Sequence, residues 1–324
     1  KNRRTRRLAV LPSSEPEHRS REEEGRDGVG RGGEGWGRGG RGEAWGMARA
    51  GRQQQPQRQN SAVFFAATLV LWGVSVAFEI AVNRRRELLP LVGGFCFYQA
   101  ANWVVRRSLS RDPLFVNTSV SLLHSTVTSA SVVLILVDQW LSKGLNNMFE
   151  HEQLFGGTWV GAYPALCFSC GYFAYDQWDM LRYRLYSGWI PSILVHHLIL
   201  LVCFTLALYR NVTINYLILS LSCELHSIFL HVRKVRRMAG LRVANSEAVR
   251  TEWILNWVTF FIARLVCHIL ITYKLIRDAH KFREGIELPL ALFGMAGMNM
   301  LNIFLGLDLY RAYRRERNQM KIKD

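Results

Sequence analysis

From residue 61 onward the chain alternates apolar runs with short polar connections. The runs fall near 61–82, 88–105, 115–137, 158–179, 190–209, 212–231, 254–275 and 287–309. Most approach the length of about 17–25 residues that a helix needs to cross a bilayer core. The second is short and interrupted by Gln99 and Asn102. No ten-residue alternation of the barrel type is present, and helices are the other way to satisfy every backbone polar group in hydrocarbon. The pattern predicts an all-α membrane protein, a polytopic transmembrane helix bundle with about eight spans. The first run is read as a span, not a cleaved signal.

Residues 1–60 contrast with this. They are rich in Arg, Gly, Glu and Gln, with GVGRGGEGWGRGG at the centre, and are expected to be disordered. The first methionine is Met47, so residues 1–46 are expected to be a translated leader that is not native. Residues 61–111 then form N-terminal membrane helices. The net charge of +16 lies partly in the leader and partly at the ends of apolar runs. There it reports orientation and contact with anionic lipid heads, and nucleic acid is not implied. Arg106, Arg107, Arg111, Arg182, Arg184, Arg233, Lys234, Arg236, Arg237 and Arg242 fall on one side of an eight-span ladder. The basic tail at 317–324 shares that side, which is expected to be cytoplasmic, with both termini facing it. Two loops disagree, the one with Arg84, Arg85 and Arg86 and the one with Lys274, Arg277, Lys281 and Arg283. A re-entrant second run would remove the first discrepancy and place the N-terminus outside.

Ionisable groups inside such runs are costly and therefore functional candidates. His196 and His197 lie six or seven residues into the fifth run, and Glu224 lies at a similar depth in the sixth. A tight hairpin joins these runs, so the three are expected at one level, roughly 10 Å below the surface. Asn117, Ser121 and His124 share a face of the third run at i, i+4, i+7. Asp176 and Asp179 follow at i, i+3 near the end of the fourth, where Asp179 is expected at the interface. Arg264 in the seventh run is expected to neutralise a carboxylate such as Glu224 or Asp176. Asn299 and Asn302 add polarity in the eighth, and Gly157 and Gly161 read as close-packing positions. The spacing predicts a polar-bottomed cavity opening to the cytoplasm. A histidine beside a carboxylate suits general-base work. Adjacent histidines point about 100° apart on a helix and do not share one ion easily, so no metal is expected. No serine elbow, nucleotide loop or dinucleotide fingerprint is present. No paired broken helices of the transporter type are expected. The six cysteines fall in apolar runs and read as buried thiols, including the C-x-x-C of Cys167 and Cys170.

FVNTSVSLLHS, CGYFAYDQWDM, LVHHLILL and CELHSIFL follow one another on successive runs. In that order they resemble the TLC domain shared by ceramide synthases and translocon-associated membrane proteins. The resemblance covers roughly residues 112–316 and implies a six-helix core around a cavity for an acyl chain. His196 and His197 match the family's histidine pair. Where ceramide synthases carry His-Asp and a second Asp, this chain reads Cys223, Glu224 and Ser227. The run of Glu224, Ser227, Ile228 and Phe229 is more similar to the TLC domain-containing protein branch linked to membrane fluidity and phospholipid composition. The resemblance thus implies a multi-pass protein that binds lipid or acyl chains and regulates membrane phospholipid composition, without a cofactor. Its partners would be membrane lipids and other membrane proteins. It also implies an alternative, an acyltransferase taking acyl-CoA as co-substrate, with His196 or His197 as base, Glu224 orienting it and Arg264 assisting the anionic donor. A channel or transporter subunit is a third reading. The expected cavity residues are Asn117, Ser121, His124, Asp176, Asp179, His196, His197, Glu224, Ser227 and Arg264. The branch points to the plasma membrane ahead of the endoplasmic reticulum.

Overall fold

A computed structural model describes residues 40–186, 192–241, 246–282 and 285–321, with side chains described between 61 and 318. Two compact units divide at Ala50; of the first, only the helical backbone of residues 40–50 is described. The helices are α1 (Gly40–Ala81), α2 (Leu89–Ser108), α3 (Pro113–Met148), α4 (His151–Phe155), α5 (Ala162–Tyr183) and α6 (Ser192–Arg210). They continue with α7 (Ile214–Ser220), α8 (Glu224–Met238), α9 (Glu247–Thr259), α10 (Cys267–Arg277) and α11 (Glu287–Lys321). Among the described residues every regular element is helical. Helix α1 runs from Gly40 into the first apolar run. The rest of the leader lies outside the described residues.

Local chemistry sets the helix starts. Asp112 caps α3 by accepting from the Leu114 and Phe115 amides, with Pro113 in the first turn. Ser246 caps α9 through the Val249 amide. Glycine is needed at two breaks. Gly144 takes φ +75° inside the long α3 helix and kinks it, and Gly161 takes φ +77° at the N-cap of α5. Gly161 is therefore a turn residue, not the helix-packing position its spacing suggested. Gly157 faces its own preceding turn, beside the Gln153 carbonyl.

Six helical stretches are long and apolar enough to cross a membrane: 61–81, 86–108, 113–148, 192–210, 247–277 and 287–318. Helix α5, which carries Asp176 and Asp179, and the α7–α8 pair, which carries Glu224, run between them. Contacts fix the directions. Asn117 meets Asp176 while Thr128 meets Ser169, so α3 and α5 are antiparallel. Asp176 meets His197 while Tyr163 meets Leu208, so α5 and α6 are antiparallel as well. Helix α2 runs parallel to α5, from Glu87 near Cys167 to Asn102 beside Asp179. It is a continuous 20-residue helix alongside α5 and shows no re-entrant turn. The Arg85 discrepancy has a local cause. Its guanidinium donates to the Leu208 and Tyr209 carbonyls at 3.0 and 2.8 Å, capping the C-terminal end of α6. Burial alone would lower the Arg85 pKa, but Glu87, Tyr163 and Glu79 raise it. That arginine serves α6.

Helices α2 and α5 approach most closely. A Cβ on Gly171 would sit 2.2 Å from the Leu91 carbonyl oxygen, and one on Gly94 would sit 2.5 Å from that of Phe168. Tyr98 fills the space beside this contact, fully buried, with Tyr172, Phe168 and His124 rings at 5.0–5.5 Å. Aromatic pairs of this kind contribute about 0.5–1.5 kcal/mol each beyond their buried area. The cluster anchors α2 and fixes the rotation of α5. That rotation aims Asp176 at α6.

Candidate functional site: a cavity and its buried polar layer

Helices α3, α5, α6, α7–α8, α11 and the segment before α10 enclose a cavity of about 320 Å³. His196, His197, Glu224, Ser227 and Arg264 line it. The other expected cavity residues do not. Asn117, Ser121, His124, Asp176 and Asp179 lie behind the wall, packed among α2, α3 and α5. Ser121 returns its hydroxyl to the Asn117 carbonyl, and His124 stacks on Tyr172 at 3.6 Å and 7°. Spacing put these side chains at the right height on their helices. Only the rotation of α5 against α3 decides that they face each other and not the lumen.

The two groups meet at one contact. His197 Nε2 lies 3.5 Å from Asp176 Oδ2, with both side chains buried. Asn117 donates to Asp176 at 2.6 Å and to Asp179 at 3.1 Å. Asn102 donates to Asp179 at 3.0 Å and to the Tyr175 hydroxyl at 2.7 Å, while Arg106 stacks on Tyr183 and donates to Asn102. Asp179 is therefore 3% exposed, shielded among the helices near the end of α5. Two amides, each donating with both hydrogens, make the paired carboxylates tolerable at this depth.

Glu224 occupies a separate part of the wall. Ser125 donates to it at 2.6 Å, and among the described residues no hydrogen bond or ion pair joins Glu224 to either histidine. The orienting carboxylate for His197 is Asp176. Ser125 and Asn102 were missed in the sequence, although Ser125 continues the Asn117 and Ser121 face at i+8 and Asn102 interrupts the second apolar run. His231, one turn beyond the expected residues, also lines the cavity.

Arg264 lies beyond ion-pair distance of the carboxylates among the described residues, although its charge acts on Glu224, which lines the same cavity. It donates to His226 Nδ1 at 3.2 Å, Asn302 Oδ1 at 3.2 Å, Ser227 Oγ at 2.8 Å and the Cys223 carbonyl at 3.4 Å. A neutral fan of acceptors replaces the carboxylate. The backbone supports it: residues Phe260–Val266 form a π-helical segment, and Leu221–Cys223 tighten into a 3-10 turn between α7 and α8. Ser222 bridges the two, donating to the Ala263 carbonyl at 3.2 Å. Such irregular turns recur at functional sites. The angles around the 3-10 turn stay right-handed helical, so the sixth span is tightened and not unwound.

The Nδ1 atoms of His196, His197 and His231 are buried with no hydrogen-bond partner in the protein. Among the described residues no group of three or more His, Cys, Asp or Glu side chains is placed to hold a metal ion. The cysteines are free thiols: Cys167, Cys170 and Cys223 are buried, while Cys96 faces outward.

The TLC domain profile matches residues 114–311. TLC domain-containing protein 2 of Danio rerio is 28% identical over 201 residues, covering 60% of this chain and 75% of that protein. The Homo sapiens protein of the same name is 28% identical over 223 residues, covering 67% and 78%. TLC domain-containing protein 1 of Gallus gallus is 26% identical over 250 residues, covering 77% and 88%. No solved structure matches the chain. The matched profile begins at the first turn of α3 and ends in α11, enclosing every helix that lines the cavity, and the chain belongs to the TLC-domain family.

Proposed function

We propose that this chain binds acyl lipid in its central cavity and through it regulates the phospholipid composition and fluidity of its membrane. The observation that carries this is a change of character between two adjoining spaces that share Leu200, Phe204, Ser220 and Met298 in their walls. Around His196, His197, Glu224 and Arg264 the wall of the first is polar; beyond Leu200 and Phe204 lies the second, an apolar crevice of about 70 Å³ between α6, α7, α10 and α11. Unpartnered histidine nitrogens at the polar end suit an ester or amide linkage, and the crevice suits a hydrocarbon tail. The basic loops support a cytoplasmic C-terminus. The plasma membrane is the proposed compartment, with membrane lipids as partners.

A second reading rests on the contact of His197 with Asp176. A carboxylate at one imidazole nitrogen fixes the tautomer, and the other nitrogen can then take a proton from an amine or hydroxyl. The freed nucleophile would attack the thioester carbon of an acyl-CoA, and the carbon–sulfur bond would break to release the thiol form of coenzyme A. One experiment separates the readings. Lipid profiles are compared between membranes carrying the wild-type chain and the His196→Ala/His197→Ala variant, followed by an acyl-CoA transfer assay on purified protein. Altered lipids without turnover support binding alone, and turnover that vanishes in the variant establishes the transferase. Unchanged lipids at equal expression would sink both.

A further inference from the structure

The wall of the cavity is open on one side. Helices α6 and α11 run antiparallel and touch closely in one half of the bundle. There a Cβ on Gly294 would sit 3.2 Å from Cys203 Sγ, and one on Gly297 would sit 3.7 Å from Ile199 Cδ1. One turn further toward the basic end the contact gives way to the cavity, whose wall passes to His196 and Leu301 and then to Ile193 and Phe304. Ile193 and Phe304 line the cavity and yet are 43% and 55% exposed, so the space opens between them. Both belong to stretches long and apolar enough to cross a membrane. In a bilayer the outer faces of such stretches meet hydrocarbon.

We propose that the gap between Ile193 and Phe304 is a lateral portal through which an acyl lipid of the leaflet on the basic side slides into the cavity without leaving the bilayer. This rests on the lipid-binding reading and specifies where that lipid comes from. Its first support is the order of residues along α6. Polar Ser192 stands at the rim, His196 and His197 come next, and Cys203, Phe204 and Ala207 follow in the crevice. A lipid of that leaflet has the same order: head at the surface, linkage below it, chain toward the midplane. From His197 to Ala207 the helix rises about 15 Å, half of a hydrocarbon core of about 30 Å. The lipid can therefore move sideways without turning over. Its second support is the rim. Apolar Ile193 and Phe304 let a chain pass, while Ser192 and exposed Asp308, which line the same cavity, put polar groups at the end of the opening where a head group would sit.

The test uses the full chain in preformed phosphatidylcholine vesicles. A photoreactive, alkyne-tagged phosphatidylcholine is delivered by cyclodextrin, and labelling of α6 and α11 peptides is followed over time by mass spectrometry. Ile193→Trp/Phe304→Trp is expected to slow labelling about tenfold, within the range over which association rates vary among mutants of one site. Val202→Trp/Ile303→Trp, at exposed positions on the same helices that do not line the cavity, should label like the wild type. Phe304→Ala should label faster, and decides the matter if the tryptophan pair does not fold. Wild-type labelling rates in the folded tryptophan pair, or in Phe304→Ala, would overturn the portal. If Gly294→Phe, which blocks the crevice, loses label while the portal variants do not, the binding reading survives and only the route fails. A wild-type chain that takes no label removes both.

Discussion

His197 turns its Nε2 toward Asp176 at 3.5 Å, whereas Glu224, the carboxylate nearest to it in sequence reading, is held by Ser125 on a different wall. The consequence is a directional coupling. Asp176→Ala would leave His197 Nε2 without its partner and the Asn117 amide with Asp179 alone, costing about 1–3 kcal/mol for the stranded group. In a double-mutant cycle, Asp176→Ala and His197→Ala should couple by about 0.5–3 kcal/mol, while Glu224→Gln and His197→Ala should add within about 0.5 kcal/mol. Unfolding midpoints in mild detergent measure both. Coupling to Glu224 in place of Asp176 would contradict the geometry.

Arg264 holds α8, the end of the 3-10 turn and α11 together through four acceptors reached by three different nitrogens. A lysine presents its donors from one nitrogen and cannot span them. Arg264→Lys is expected to lose stability by about 1–3 kcal/mol, since it strands buried Asn302 or His226. Asn302→Ala in the lysine background should then cost less than in the wild type. Equal stability of Arg264→Lys and wild type in thermal unfolding would show that the fan is incidental.

The ladder of spans is legible because apolar length is written directly in the residues, and even α5 can be placed although Asp176 and Asp179 interrupt it. The depth of the histidines and of Glu224 follows from counting. What counting cannot supply is rotation. His196 and His197 point about 100° apart, and which of them meets α5 depends on the Gly94 and Gly171 contact that sets how α2 and α5 lie. The 3-10 turn before Glu224 and the π-helical segment around Arg264 change hydrogen-bond register without changing hydropathy, so the arginine's neutral partners could not be read in advance. The portal is hidden for the same reason, because Ile193 and Phe304 look like any lipid-facing residues until the two helices are seen to part.

Asp278 explains the basic loop that disagreed with the charge rule. Its side chain is 3% exposed, with Lys274 at 2.5 Å, Arg277 at 3.4 Å and Lys281 at 3.6 Å. Burial pushes its carboxyl pKa up, but the Lys274 hydrogen bond and the charges of Lys274, Lys281 and Arg277 outweigh this and hold it below the ordinary value. A carboxyl lowered on folding stabilises the protein fully above its unfolded pKa of about 3.9, and that contribution fades as pH falls through the lowered folded value. The stability difference between wild type and Asp278→Asn should therefore be constant from pH 7 to about pH 5 and shrink below about pH 4. Unfolding midpoints across that range test it, and a difference that grows on acidification would reverse the sign.

The closest helix contact gives the sharpest stability prediction. At Gly171 a methyl group would lie 2.2 Å from the Leu91 carbonyl oxygen and 2.7 Å from the Phe95 amide nitrogen, both backbone atoms that cannot step aside alone. At Gly94 it would lie 2.5 Å from the Phe168 carbonyl oxygen. Either substitution to alanine must push α2 away from α5, loosening the Tyr98 cluster and tilting Asp176 from His197. The expected cost is about 1–3 kcal/mol, the usual range for overpacking. Gly93 stands beside Gly94 on the same helix, and a Cβ there meets nothing within 4 Å. Gly93→Ala should instead raise stability by about 0.5–1 kcal/mol, because alanine gives up less backbone freedom in a helix. Thermal unfolding of the three variants side by side separates contact from propensity. If Gly94→Ala and Gly93→Ala shift the midpoint in the same direction, the close approach of α2 and α5 is not what orients the site.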